Sequence, residues 1–145
     1  WPLDYTKYCT ESDCGIVDNK VVLDKEDDAA AVNMGGVWRM PTYDEQLELR
    51  EGCIITTTEN YNGTGVAGVI LTSKINGNYI FLPARTHYEN HSELIATSWT
   101  STPSSSPYYQ YTAYCIYTHN INVWYGNFDN KEKRWLGRNI RPVSD

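Results

Sequence analysis

Residues 35–45, with the sequence GGVWRMPTYDE, contain the strongest structural signals in the chain. Pro41 precedes Thr42, and Glu45 follows Thr42 by three residues. This is the pattern of a capping box, in which the side chains of the first and fourth residues each accept a hydrogen bond from the other's backbone N–H. The pattern predicts a helix from Thr42 to Glu51, ended by a glycine.

A shorter helix is predicted just before this stretch, over Asp24–Met34. Asp24 can cap its first turn, and Asp27 adds negative charge near the positive end of the helix dipole. Gly35-Gly36 would end it, because glycine readily adopts the left-handed conformation that follows many helices.

Before Cys53 the hydrophobic residues recur at helical spacing. From Cys53 onward, hydrophobic and polar residues alternate, as they do in β-strands. Three strands are predicted in the first half of this region, and Asn-Gly pairs at 62–63 and 76–77 are typical of tight turns between strands. The strands are Cys53–Thr58, Val66–Thr72 and Tyr79–Leu82.

The rest of the chain contains polar stretches and stretches in which apolar and polar residues alternate. Residues 85–107 are predicted to be irregular apart from 98–101, and Tyr125–Gly137 is predicted to be a loop. Strands are predicted at Tyr111–His119, Ile121–Trp124 and Arg138–Val143. Two helices followed by about six strands predict a single α+β domain over 1–145.

Size and charge exclude several classes of protein. The chain has 145 residues, of which 41% are hydrophobic, so it is long enough for one domain with a core. Its net charge is −6, whereas nucleic-acid-binding proteins typically carry an excess of positive charge, so no nucleic-acid partner is expected. No apolar run approaches the roughly 18 residues of a membrane-spanning helix, so no membrane span is expected.

Cysteine and histidine spacing predicts no metal site and no cofactor. The four cysteines (Cys9, Cys14, Cys53 and Cys115) allow three disulfide connectivities, and a local Cys9–Cys14 bridge is one option. Their spacing is not that of a zinc site, and His87 and His91 lie in a segment that does not resemble a helix. The oxygen-rich group at Asn127, Asp129 and Asn130 is interpreted as a solvated loop.

Aromatic residues provide the best functional candidates. The chain has 12 Tyr and 5 Trp against 2 Phe. Tyr and Trp combine an apolar body with a polar tip, and with Asn they are typical of binding surfaces. The predicted ligand-binding residues fall between 109 and 135, and we expect Tyr117, Trp124, Tyr125 and Phe128 to be exposed. The full set is Tyr109, Tyr111, Tyr117, His119, Asn122, Trp124, Tyr125, Asn127, Phe128 and Trp135.

Several motifs, in order along the chain, resemble the bacterial Fibrobacter succinogenes major paralogous (FISUMP) domain. GGVWRMPT with Glu45 is similar to the signature G-x-W-R-[LM]-P-T-x-x-E, which formylglycine-generating-enzyme-like proteins share. Further matches are TSKINGNYIFLPA at 72–84, SWTS at 98–101 and GRNIRPV at 137–143, with weaker matches at 8–9, 17–20 and 27–30. The resemblance therefore extends over nearly the whole chain.

This resemblance implies a C-type-lectin-like fold with a twisted antiparallel sheet. The same fold occurs in variable proteins of diversity-generating retroelements, in which a C-terminal segment is randomised, and residues 108–135 lie where that segment is expected. Formylglycine-generating enzymes are copper-dependent oxidases that use a cysteine pair near the C-terminus, whereas here only Cys115 lies in the second half. The tripeptides of calcium-dependent lectins are also missing. Because the chain departs from both patterns, no enzyme activity and no metal site are expected.

The sequence therefore predicts a non-catalytic binding module of a bacterial surface or secreted protein, with a protein or glycan ligand. The abrupt Trp1-Pro2 start suggests a piece of a longer protein, which an upstream segment could anchor to lipid. The alternative is a structural or assembly module of an adhesin or pilus-like structure. The oligomeric state and the ligand's identity stay open.

Overall fold

The computed structural model describes residues 5–86, 94–104, 111–119 and 131–144. It is an α+β protein with two helices and three antiparallel sheets, as the sequence predicts in outline. The helices are α1 (Ala29–Met34) and α2 (Tyr43–Gly52). The strands are β1 (Trp38–Arg39), β2 (Cys53–Thr58), β3 (Gly68–Ser73), β4 (Tyr79–Pro83), β5 (Arg85–Thr86), β6 (Leu94–Pro103), β7 (Thr112–His119), β8 (Lys131–Lys133) and β9 (Val143–Ser144).

Helix α1 is shorter than predicted, and its cap is Asp28 rather than Asp24. The Asp24 carbonyl accepts hydrogen bonds from the backbone N–H groups of Asp27 and Asp28, which closes a separate turn before the helix. The Asp24 carboxylate forms an ion pair with Lys20. Asp28 Oδ1 instead accepts hydrogen bonds from Ala30 N (2.8 Å) and Ala31 N (3.0 Å), and so starts the helix.

Helix α2 begins as predicted, with both hydrogen bonds of the capping box in place. Glu45 N donates to Thr42 Oγ1 at 3.2 Å, and Thr42 N donates to Glu45 Oε2 at 2.8 Å. Arg39 also donates to both oxygens of the Glu45 carboxylate. The capping residues therefore also hold β1 against the start of α2.

The first sheet has the order β2-β3-β4 and confirms the three strands predicted there, with β3 starting at Gly68. Gly77 has φ +74°, which glycine tolerates in the tight turn between β3 and β4. One face of the sheet builds the main core, where Val69, Leu71 and Leu82 cluster with Ala96 of β6. The α2 residue Leu49 packs on this cluster, so the helix covers the sheet.

The second sheet has the order β5-β6-β7-β8 and differs most from the prediction. Strand β7 is confirmed, but Leu94–Pro103 forms a ten-residue strand in a region predicted to be largely irregular, and Lys131–Lys133 forms a strand in a predicted loop. Ser98, Thr100 and Ser101 of β6 are buried, and hydrogen bonds compensate for this: Thr100 Oγ1, for example, donates to Tyr114 O at 2.8 Å. The predicted strand Ile121–Trp124 lies outside the described residues.

The C-terminal segment closes the structure through contacts with β6 and β1. Ser98 Oγ accepts a hydrogen bond from Arg141 N at 3.0 Å, and Trp99 N donates to Asn139 O at 2.9 Å. Strand β9 pairs with β1 through Arg39 and Val143. The predicted closing strand Arg138–Val143 is thus not a continuous strand: Asn139 forms an isolated bridge with Ser98, and Val143 belongs to β9.

No disulfide joins any two of the four cysteines, all of which lie in described segments. Cys9 and Cys115 are buried. In the part of the chain with described structure, neither helix has the length and apolar character that crossing a membrane requires.

Candidate functional site

Three of the ten predicted ligand-binding residues have described side chains: Tyr111, Tyr117 and Trp135. The backbone of His119 forms the last position of β7 and pairs with Ile95. The remaining six predicted residues lie outside the described residues. They are Tyr109, Asn122, Trp124, Tyr125, Asn127 and Phe128.

Tyr111 and Trp135 are brought together at one end of the second sheet. Their ring centroids are 6.2 Å apart, with an angle of 30° between the ring planes. The backbone fixes this pair, because Arg134 N donates to Tyr111 O at 2.9 Å and Thr112 lies opposite Lys133 in the β7–β8 register. Two residues far apart in the sequence therefore share one surface.

Lys133 adds a positive charge to this surface. Its Nζ lies 5.3 Å from the centroid of the Trp135 ring, within the range of a cation–π contact. Trp135 keeps 57% of its surface exposed. Tyr111, Lys133 and Trp135 form what we call the Trp135 surface, on which the Trp135 ring and the Lys133 side chain are exposed to solvent.

Tyr117 does not join the Trp135 surface. It lies five residues after Thr112 along β7, which corresponds to about 17 Å in an extended strand. Its side chain is half-buried, and Cys115, on the same face of the strand, is fully buried. The expected exposure of Tyr117 is therefore only partial.

Arg134 ties the β8 end of this region to the N-terminal part of the chain. Its guanidinium carbon lies 4.4 Å from the centroid of the Tyr5 ring, and its Nη1 donates to Tyr8 O at 3.3 Å. Burial raises the pKa of Tyr5, and the nearby Arg134 charge partly offsets this. The residue next to Trp135 is thus held in place by aromatic and carbonyl groups.

A second aromatic group, absent from the sequence prediction, lies on the outer face of the first sheet. Tyr61 stacks on Phe81 with 3.9 Å between ring centroids and 3° between the planes. A hydrogen bond with Tyr79 raises the pKa of Tyr61, and Tyr79 itself is 54% exposed. The alternation of Tyr79 and Phe81 in β4 was the available signal for a shared face.

An acidic cluster lies near the turn that precedes α1. Ligand atoms of Asp24, Glu26 and Asp27 all lie within 4.8 Å of one another. Lys7 forms ion pairs with Glu26 and Asp27, and the hydrogen bond from Lys7 lowers the pKa of Asp27. With Lys20 on Asp24, protein cations already compensate these carboxylates, so the cluster acts as an ion-pair network.

No protein-family model matches this chain, and comparisons with curated proteins and with solved structures gave no match either. The α+β architecture therefore comes from the structure of this chain itself. Membership of a C-type-lectin-like family stays a prediction from the motifs.

Proposed function

We propose that this chain is a non-catalytic ligand-binding module of a bacterial surface or secreted protein, with a C-type-lectin-like fold. The observation that carries the proposal is the exposed Trp135 ring, which stacks on Tyr111 beside the Lys133 ammonium. Large aromatic side chains held rigidly at a surface dominate the energetics of many binding interfaces.

Support for the fold comes from elements that lie far apart in the sequence. Two helices precede the main sheets, and the GGVWRMPT and IRPV motifs meet where β1 pairs with β9. The two-point contact of Arg39 with Glu45 gives a physical role to two motif residues. This arrangement agrees with the resemblance to FISUMP domains.

Support for binding comes from the location of the Trp135 surface. In the sequence, Tyr111 and Trp135 stand on either side of the segment that contains Asn122, Trp124, Tyr125, Asn127 and Phe128. A protein or glycan ligand suits this composition, because rings stack on apolar surface while Asn and Lys supply polar contacts. Diversification of exposed positions within residues 108–135 would alter the ligand, whereas Cys115 and Ile116 of β7 are buried and would have to be kept.

The test uses the labelled wild-type chain on a printed array of glycans and bacterial surface proteins. Trp135→Ala should weaken binding to the features that wild type recognises at least tenfold, while its melting temperature changes by no more than a few degrees. Tyr79→Ala is the matched control, because Tyr79 is a similarly exposed aromatic on another sheet. Equal loss in both variants, or none in Trp135→Ala, would contradict the proposal.

The predicted site residues outside the described segments need their own variant. The double substitution Trp124→Ala and Tyr125→Ala should abolish binding to the same array features with little change in melting temperature. If the double variant unfolds instead, these residues belong to the core and the predicted site is wrong.

The alternative of an assembly module has one observation in its favour. Ile16, Val17, Val21 and Val22 are all exposed within a single segment. Clustered apolar exposure of this kind marks interaction surfaces in many proteins. Concentration-dependent sedimentation that disappears in Val21→Asp with Val22→Asp, with array binding unchanged, would support this alternative.

A further inference from the structure

The segment before the first helix contains two cysteines, Cys9 and Cys14, that the proposed function does not use. Cys9 is fully buried, and Cys14 is half-buried. Both contact the backbone carbonyl of Glu11: Cys9 Sγ donates to it at 2.9 Å, and Cys14 N donates to it at 3.2 Å. Because both atoms contact one oxygen, they lie no more than about 6 Å apart. The Cys14 sulfur is joined to that nitrogen through only two carbon atoms, so the two thiols are neighbours.

The fold holds the backbone of both cysteines in place. Cys9 N donates to Asp18 Oδ1 at 3.0 Å, and Cys9 O accepts a hydrogen bond from Asp18 N at 3.0 Å. Cys14 O accepts from Tyr5 N at 2.9 Å, and Gly15, the next residue, packs so closely on the Tyr5 backbone that it leaves no room for a Cβ. Two thiols held side by side have a high effective concentration for each other.

We propose that Cys9 and Cys14 are a redox modification site, which a small-molecule disulfide oxidises to an intramolecular disulfide. The thiolate of Cys14, the more exposed of the two, attacks one sulfur of the reagent, forms a mixed disulfide and releases one thiol. The Cys9 thiolate then attacks the Cys14 sulfur, forms the Cys9–Cys14 bond and releases the second thiol. The two protein S–H protons end on the released thiols, and two electrons reduce the S–S bond of the reagent.

The local hydrogen bonds allow this reaction. Oxidation removes the S–H donor of Cys9, but Glu11 O keeps its hydrogen bond from Cys14 N. The carbonyl that the thiol contacts is therefore not left without a partner, which would oppose the reaction.

The disulfide would restrain a segment that supports the Trp135 surface. Arg134 contacts the Tyr5 ring and donates to Tyr8 O, and Tyr5 is in turn bound to Cys14. Because a disulfide limits the freedom of the unfolded chain, the oxidised protein should be the more stable form. Disulfides persist outside the cytoplasm, where the proposed function places this chain, but the chemistry itself does not depend on that function.

Glutathione disulfide is the probe for this inference. Burial raises the pKa of the Cys14 thiol, and the neighbouring Cys9 thiol adds to this, so the folded, reduced chain is treated at about pH 9. After the free thiols are alkylated, trypsin cleaves at Lys7 and Lys20 and releases both cysteines in one peptide, 8–20, without the other two. This peptide should be two hydrogen atoms lighter than its reduced form and should exceed its glutathione adduct by about tenfold.

Two single variants separate the roles of the thiols. Cys9→Ala should retain glutathione on Cys14, because no second thiol displaces it. Cys14→Ser should carry no adduct on peptide 8–20, because Cys9 is fully buried. Oxidation should raise the melting temperature of the wild type by several degrees, and this rise should be absent in Cys14→Ser. If Cys9→Ala does not fold, the wild-type peptide and Cys14→Ser decide.

Three results would overturn the inference. The first is a glutathione adduct that persists on Cys14 of the wild type while Cys9 stays reduced. The second is a disulfide that joins either residue to Cys53 or Cys115. The third is a lower melting temperature in the oxidised form, which would mean that the fold does not accommodate the bond. Array binding is not measured, so none of these results bears on the proposed function.

Discussion

Arg39 and Glu45 form a two-point ion pair in which Nη1 donates to Oε2 at 2.8 Å and Nη2 donates to Oε1 at 2.7 Å. Oε2 also accepts hydrogen bonds from Thr42 N and Thr42 Oγ1. One carboxylate therefore caps α2 and fixes the strand that leads into it. Four charge-assisted or capping contacts on one side chain make Glu45 the best place to test this part of the fold.

Glu45→Gln should destabilise the protein by roughly 1 kcal/mol at pH 7, because it weakens the capping box and the partly exposed ion pair. Hydrogen bonds from Arg39 lower the pKa of Glu45 from the ordinary 4.5 to about 2. Because the pKa is lower in the folded protein, the ionised Glu45 carboxylate stabilises the fold fully above pH 4.5, and this contribution is lost as the pH falls toward 2. Urea unfolding should therefore show the wild type and the variant converging between these pH values, and a constant difference would contradict the prediction.

Asp28→Ala should destabilise the protein by roughly 2–4 kcal/mol, because it removes a buried cap and leaves backbone donors unpaired. Asp28 is 4% exposed, and its Oδ2 accepts from Met40 N at 2.8 Å in addition to the two bonds that start α1. The control is Asp24→Ala, which loses only an ion pair with Lys20 and should cost less than about 1 kcal/mol. Chemical denaturation measures the free energy of unfolding of both variants. A larger loss in Asp24→Ala than in Asp28→Ala would indicate that Asp24 caps the helix, as the sequence predicts.

Gly68→Ala should destabilise the protein by about 1–3 kcal/mol, since it forces an extra carbon into a packed sheet. A Cβ there would come within 3.0 Å of the Phe81 ring and of Leu82 O, and a backbone oxygen in a strand cannot move aside. Gly52→Ala is the control, because a Cβ at Gly52 has nothing within 4 Å. Thermal unfolding should show a clear loss for the first variant and no loss for the second.

Tyr114→Ala should lower the melting temperature much more than Trp135→Ala. The Tyr114 ring stacks on Tyr43 with centroids 4.2 Å apart and so joins β7 to α2, whereas Trp135 is exposed. Truncating a buried aromatic costs about 3–5 kcal/mol, and Tyr114, which is half-buried, should fall somewhat below that range. Calorimetric unfolding of both variants measures the difference, and similar losses would mean that Trp135 belongs to the core.

Local signals explain what the sequence could predict about the fold. The capping box at Thr42 needs only neighbouring residues, and the turn at Gly77 needs only a positive φ, so both appear as expected. Strand β6 was missed because its buried Ser and Thr residues look solvent-exposed by composition, although distant partners satisfy them. Ser101 N, for instance, donates to Pro41 O at 2.8 Å, a contact that no local pattern encodes.

The candidate site, too, could be predicted from the sequence only in part. Composition identified an aromatic segment, but the contact of Tyr111 with Trp135 depends on the β7–β8 register. The burial of Gln46 on α2 was not predicted either, because a glutamine on a helix is ordinarily a surface residue, and only tertiary packing buries it.

The pairing of Arg39 with Val143 also sets an order of events during synthesis. About a hundred residues separate the two partners, so at roughly 5–20 residues per second a ribosome needs on the order of 5–20 s to supply the second after the first. The capping box and the β3–β4 hairpin can form during that interval, because their partners are close in sequence. Arg39 can pair with Glu45 as soon as α2 has been made, but β1 stays without its strand partner until Val143 and Ser144 have been added.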